Sequence, residues 1–198
     1  MRLFPENISK TKKINKALFL DRDGVINKDY GYVHKKDKFH FINGIFKLIS
    51  FATKHDFIII IVTNQAGIGR GIFSKNDFKN LSLWMIYTLK ENNCRIDGIY
   101  FSPFHPVYGI GKYKKKENTR KPGPGLLNMA SSDFNIDMNK SIIIGDKLSD
   151  IEAGYNSRVK ERILIKNQKV QITQKQSFSY HKADNLDDAK KLIKSFIN

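Results

Sequence analysis

Five β-branched residues in a row, Ile58-Ile59-Ile60-Ile61-Val62, constrain this chain more than any other segment. The run lacks the alternation of a strand that keeps one face in water. It suits a parallel strand buried on both faces. Ala17-Leu18-Phe19-Leu20 and Ile142-Ile143-Ile144 are shorter runs of the same kind, and Gly98–Phe101 and Arg162–Ile165 are further strand candidates. Helical spacing fills the intervals. Ile45, Leu48, Ile49 and Ala52 share a face over Gly44–His55, and Phe78, Leu81, Met85 and Leu89 recur over Ser74–Asn93, with Ser74 as an N-cap. Pro124–Phe134 opens with a proline, Ser149–Asn156 reads as a short helix, and the tail Asp184–Ile197 places Leu186, Ala189, Leu192, Ile193 and Phe196 on one face. Strands alternating with helices predict an α/β fold, an open and mainly parallel sheet with helices on both faces. The 198 residues suit a single domain. We expect a flexible leader over residues 1–15 and one domain over 16–198.

Composition narrows the classes. No apolar run is long enough to span a bilayer. The polar, basic stretch Met1–Lys16 lacks the apolar core of a secretory signal, so a cytoplasmic protein without membrane partners is expected. A single cysteine, Cys94, allows neither an internal disulfide nor a cysteine-based metal cluster within one chain. The formal net charge of +16 favours anionic ligands. The lysines are dispersed, with dense runs only at Lys10–Lys13 and Lys112–Lys116. That is a weak footprint for nucleic acid, which is not expected as the partner.

In open parallel sheets, ligands sit at the carboxyl ends of the strands. Asp21 and Asp23 follow the first apolar run, Thr63 and Asn64 the second, and Asp146 the third. Asp21 and Asp23 can face one pocket if the chain turns at Gly24. Two close carboxylates repel unless a cation lies between them or one holds a proton. A hard ion such as Mg2+ meets that need, with Asp146 as a further oxygen ligand. One ionised carboxylate can then attack phosphorus, while the other gives a proton to the leaving alcohol and later takes one from water. A lysine and the metal neutralise the phosphoryl oxygens during transfer. A bland turn or helix-capping pair would account for the two aspartates but would leave Thr63, Lys121 and Asp146 unexplained.

Four segments carry a family resemblance. Phe19-Leu20-Asp21-Arg22-Asp23-Gly24-Val25-Ile26-Asn27, Val62-Thr63-Asn64-Gln65-Ala66-Gly67, Arg120-Lys121-Pro122 and Ile144-Gly145-Asp146-Lys147-Leu148-Ser149-Asp150 resemble, in family order, the signatures of haloacid dehalogenase (HAD) phosphatases. The resemblance spans about residues 16–166. It implies a Rossmann-like HAD fold, and no insertion is long enough to form a cap domain. It implies Asp21 as nucleophile, Asp23 as acid and base, Thr63 as phosphoryl-oxygen donor, Lys121 as cationic stabiliser, and Asp21, Asp23 and Asp146 as the Mg2+ site. Asp150 is read either as support for Lys121 or the metal's waters, or as a first-turn helix carboxylate.

Arginine within Asp21-Arg22-Asp23-Gly24 is similar to the branch that holds histidinol phosphatases and heptose-bisphosphate phosphatases. Asp29-Tyr30-Gly31-Tyr32-Val33, Leu83-Trp84-Met85 and Asp97-Gly98-Ile99-Tyr100 look like the heptose-bisphosphate members. That likeness implies removal of the 7-phosphate from a D-glycero-manno-heptose 1,7-bisphosphate in the synthesis of surface-polysaccharide precursors such as lipopolysaccharide. It implies a substrate held by Asp29, Tyr30, Gly31, Tyr32, Asn64, Gln65, Ala66, Arg120 and Lys147, and we expect a monomer. Arg120 offers a planar fork and Lys147 a compact charge for the second phosphate.

One stretch departs from the family. Relatives often carry a Cys-x-His and Cys-x-Cys zinc site before the lysine motif; here the residues are Ser102-Pro103-Phe104-His105-Pro106 and Glu117-Asn118-Thr119. His105 alone cannot hold structural zinc, so no zinc is expected. The loop is expected to be ordered by packing through Phe104, Tyr108 and Tyr113, or to be more mobile. Histidinol-phosphate phosphatase and polynucleotide 3′-phosphatase are the alternative activities. A catalytically silent HAD-like binding protein is the non-enzyme alternative.

Overall fold

The structure is a computed structural model that describes residues 1–4, 12–166 and 177–197. Among these residues, seven strands form one sheet: β1 (Arg2–Phe4), β2 (Lys16–Leu20), β3 (Phe57–Asn64), β4 (Gly98–Ser102), β5 (Ile142–Gly145), β6 (Glu161–Ile165) and β7 (His181–Ala183). Their spatial order is β1-β4-β3-β2-β5-β6-β7. Every pairing is parallel except that of β1 with β4. The α-helices are α1 (Ile45–Lys54), α2 (Ala66–Gly69), α3 (Lys75–Glu91), α4 (Gly125–Phe134), α5 (Leu148–Asn156) and α6 (Leu186–Ile197).

The isoleucine run becomes the middle of β3, between β2 and β4. Side chains of a strand alternate between faces. Leu18, Leu20, Ile59 and Ile61 pack into one core with α1, α3 and α6. Ala17, Phe19, Ile60 and Val62 pack into a second with α4 and part of α5. The central strands therefore have no wet face, which is why their sequences do not alternate. Cys94 is buried in the first core, where its Sγ donates to the Phe46 carbonyl at 3.3 Å.

Two strands lie where the residue pattern predicts none. Residues 1–4 fall in the expected flexible leader, yet Arg2–Phe4 pairs antiparallel with β4 and closes that edge of the sheet. The terminal ammonium donates to the Phe101 carbonyl at 2.8 Å. Arg2 pairs with Asp133 at 3.0 Å, and Asp133 also accepts from the Tyr100 hydroxyl at 2.7 Å. Residues 5–11 of the expected leader lie outside the described residues. At the other edge, β7 pairs with β6, and α6 starts at Leu186, two residues later than expected, with Asn185 Oδ1 accepting from Asp188 N at 3.0 Å.

The order of the sheet decides what meets at its carboxyl edge. β2 lies between β3 and β5, so the residues after these three strands converge. The Asp21 N–H continues the ladder by donating to the Ile144 carbonyl at 3.1 Å, which sets the first motif beside the last.

Candidate active site

Asp21 leaves β2 nearly buried, and the chain turns over itself within a few residues. The Arg22 carbonyl accepts from Ile26 N at 2.8 Å and Asn27 N at 3.1 Å. Gly24 takes a φ of +96°, and a Cβ there would lie 2.2 Å from Asp146 Oδ2. Only a glycine lets the first motif approach the carboxylate that follows β5 so closely.

Lys121 stands at the centre of the charge arrangement and is 3% exposed. Its ammonium lies 3.0 Å from an Asp21 oxygen and 2.6 Å from an Asp150 oxygen, and it donates to the Val62 carbonyl at 2.7 Å. All three of its donors are thus used. Burial works against the charged ammonium, but Asp150 and Asp21 outweigh it and raise Lys121 above its ordinary range. Burial pushes the Asp21 carboxyl up to about 7; Lys121 pulls it back, while Asp150, Asp146 and Asp23 push it further up. Three further carboxylates crowd Asp21 around one lysine, an arrangement that suits a further cation.

The donor set fits a hard one. An oxygen from each of Asp21, Asp146 and Asp150 lies within 4.8 Å of the others, and all three residues are buried. Oxygen donors alone suit Mg2+ better than a metal that prefers nitrogen or sulfur. Asp21 and Asp146 of the expected metal set belong to this cluster, together with Asp150, whose side chain also holds Lys121. The Asp23 carboxylate is held by Arg22 Nη2 at 2.8 Å, Asn27 Nδ2 at 3.0 Å and Gln65 Nε2 at 3.0 Å. Asp150 combines the two roles open to it. It caps the start of α5 by accepting from Lys147 N at 3.0 Å, while its other oxygen holds Lys121.

These groups open into a cavity of about 670 Å3 lined by residues from all four motifs. Asp21, Asp23, Asp29, Gly31, Tyr32, Thr63, Asn64, Gln65, Ala66, Arg120, Lys121 and Lys147 are brought together there. Gln65 Nε2 donates to Thr63 Oγ1 at 2.9 Å, and Asn64 anchors the lysine motif by bonding the Lys121 carbonyl and N–H, each at 3.0 Å. Lys147 reaches the opposite wall and pairs with Asp29 at 3.0 Å. Tyr30 is not part of this wall. It is 56% exposed and lines a neighbouring cavity, with its ring edge-on to His40.

The departing loop is held without thiolates. The Phe104 and Tyr113 ring centroids lie 5.8 Å apart, His105 N donates to the Tyr113 carbonyl at 3.1 Å, and Arg120 Nη1 donates to the Phe104 carbonyl at 3.1 Å. The Arg70 guanidinium lies over the rings of both Tyr32 and Tyr108 and bonds the Tyr32 hydroxyl, which ties this loop to the Asp29–Tyr32 segment.

Two residues have roles that the sequence does not announce. Arg22 is 1% exposed, grips Asp23, donates to the Val33 carbonyl at 2.7 Å and stacks over Phe78. His105 lines the cavity beside Pro106 and Arg120. For Arg22 the available signal is its place between two aspartates; for His105 no signal separates it from a lone loop histidine.

Known proteins are similar to this chain in sequence and in fold. The family model described as polynucleotide kinase 3 phosphatase matches residues 16–184. A D-glycero-alpha-D-manno-heptose-1,7-bisphosphate 7-phosphatase of Burkholderia mallei is 50% identical over 151 residues, which cover 76% of this chain and 80% of the relative. A D-glycero-beta-D-manno-heptose-1,7-bisphosphate 7-phosphatase of Haemophilus influenzae is 39% identical over 181 residues, 91% of this chain and 98% of the relative. Among solved structures, the D,D-heptose 1,7-bisphosphate phosphatase of B. bronchiseptica complexed with magnesium and phosphate matches with a TM-score of 0.80 at 23% identity, over 91% of this chain and 98% of that one. At that identity the likeness is one of fold.

Proposed function

Because the chain belongs to the polynucleotide kinase 3 phosphatase family, with the fold of HAD-type phosphatases, we propose that it is a magnesium-dependent phosphatase that removes the 7-phosphate of a D-glycero-manno-heptose 1,7-bisphosphate. The observation that carries the chemistry is the buried Asp21–Lys121–Asp150 cluster beside Asp146. The substrate comes from the relatives, which are named for this reaction at up to 50% identity.

In this reading Asp21, Asp23 and Asp146 would hold Mg2+, with Asp150 beside them, and the ion would neutralise charge on the phosphoryl oxygens. Asp21 attacks phosphorus while the bond from phosphorus to the sugar oxygen breaks, giving an aspartyl-phosphate on Asp21 and an alkoxide that takes a proton from Asp23. Asp23 then takes a proton from water, whose oxygen attacks the aspartyl-phosphate and releases inorganic phosphate and Asp21. Lys121 and the Thr63 hydroxyl face the equatorial oxygens during both steps. Arg22, Asn27 and Gln65 fix where the Asp23 oxygens point. Asp29, Gly31, Tyr32, Asn64, Ala66, Arg120 and Lys147 surround the sugar and its second phosphate, with Tyr30 just outside. A monomer acting in the cytoplasm on precursors of surface polysaccharide completes this reading. Among the described residues, no helix is long and apolar enough to cross a membrane.

A polynucleotide 3′-phosphatase is the second reading, favoured by the name of the family and by the net charge of +16. Phosphate release with Mg2+ separates the two, using both anomers of heptose 1,7-bisphosphate, fructose 1,6-bisphosphate, histidinol phosphate and a 3′-phosphorylated oligonucleotide. The first reading expects the highest kcat/KM for a heptose anomer, and preference for the oligonucleotide would replace it with the second. Asp21→Asn should abolish turnover with an unchanged circular dichroism spectrum. Retained Mg2+-dependent activity in that variant would sink the proposed chemistry for either substrate.

A further inference from the structure

His105 lines the outer part of the cavity, and the proposed chemistry gives it no task. Its Nδ1 lies 3.2 Å from Val107 N and 3.1 Å from Tyr108 N. Both partners are backbone N–H donors, so Nδ1 is the acceptor and carries no proton. In a neutral imidazole the proton must then sit on Nε2. The loop sets this tautomer by its own backbone, with no carboxylate partner needed.

The ring is also held in place. The backbone N–H of His105 donates to the Tyr113 carbonyl at 3.1 Å, its carbonyl accepts from Gly109 N at 3.2 Å, and the Tyr108 ring lies against the imidazole with centroids 4.9 Å apart. Arg120 donates to the carbonyl of Phe104, the residue before it, at 3.1 Å. One stretch of backbone therefore carries both the guanidinium and the imidazole. Burial, then the charges of Arg120 and Arg70, push the imidazole below its ordinary range, so the ring stays neutral near pH 7.

Resting on the reading of the substrate as a sugar bisphosphate, we propose that His105 donates its Nε2–H to the second, non-reacting phosphate, beside Arg120, and so helps to select bisphosphates over monophosphates. A phosphate oxygen only accepts. A neutral, oriented donor adds a directional bond where the Arg120 guanidinium already supplies charge, and it works without a further cation. Pro106, Val107 and Tyr108 are exposed, which places His105 toward the mouth of the cavity and the reacting phosphate deeper, at Asp21 and Lys121.

Two variants separate this role from loop support. His105→Asn keeps an acceptor where Nδ1 stands and loses the distal donor. His105→Gln keeps a distal donor and loses the proximal acceptor. The measurement is the ratio of kcat/KM for the heptose 1,7-bisphosphate to that for the heptose 7-phosphate. We expect His105→Asn to lower this ratio about tenfold, the usual size for a lost bond to a charged group, and His105→Gln to retain more of it. An unchanged ratio in His105→Asn, whatever happens to absolute activity, would overturn the proposal, and so would a larger loss in His105→Gln. A wild-type ratio near one would show, before any variant is made, that the bisphosphate reading itself fails, and the role of His105 would fall with it.

Discussion

Gly24 shows how much of the site depends on the absence of one carbon. A methyl group at this position would fall 2.3 Å from the Asp146 carboxyl carbon, and the φ of +96° already disfavours any other residue. Gly24→Ala should therefore displace Asp146 and raise the Mg2+ concentration for half-maximal phosphate release about 10- to 100-fold, the range seen when a metal ligand loses its support. A titration of activity against Mg2+ checks this, and an unshifted midpoint would mean that Asp146 does not hold the ion. At this scale the sequence is readable where spacing carries chemistry, as in Asp21, Lys121 and Asp146. It is not readable for the partners that the Asp23 carboxylate and Arg22 find. Alternation along a strand would send Arg22 away from Asp21 and Asp23. The tight turn instead folds residues 24–27 over the Arg22 carbonyl and lets its side chain return to Asp23, Val33 and Phe78.

Elements with a long period are legible in the sequence, and short ones are not. Helix α3 begins where Ser74 announces it. Asp77 N donates to Ser74 Oγ at 3.0 Å, and Ser74 N donates to Asp77 Oδ2 at 2.8 Å. Ser74→Ala should cost about 1 kcal/mol and lower the melting temperature by roughly 2–4 °C, with kcat unchanged because the cap lies outside the cavity. Thermal unfolding and a kinetic assay on the same sample test both halves. Strands β1 and β7 have three residues each, too few for an alternation to register, and they exist because β4 and β6 offer unpaired edges. The loop after β4 is legible as irregular. Its order depends on Phe104 against Tyr113 and on Arg70 between Tyr32 and Tyr108, contacts between segments far apart in sequence that no local pattern encodes.

Across the whole molecule, the net charge of +16 surrounds a cavity for an anionic substrate. Such a field raises the encounter rate and is screened over about 10 Å at about 0.1 M salt. Raising NaCl from about 20 mM to about 300 mM shortens that range, so kcat/KM for a bisphosphate should fall several-fold while kcat changes little. The buried groups around Lys121 are screened far less. Steady-state kinetics across that series measures it; a parallel fall in kcat would place the salt effect in the cluster itself. The sheet order is legible only as a class. That β2 lies between β3 and β5 follows from packing across the whole chain, and this is what brings Asp21, Thr63 and Asp146 to one edge. The same assembly leaves the only sulfhydryl, Cys94, sealed in the core against Phe46, while rings and backbone bonds order the loop beside the cavity. Peroxide and alkylating reagents thus find no thiolate at the reaction centre or in the loop that frames it.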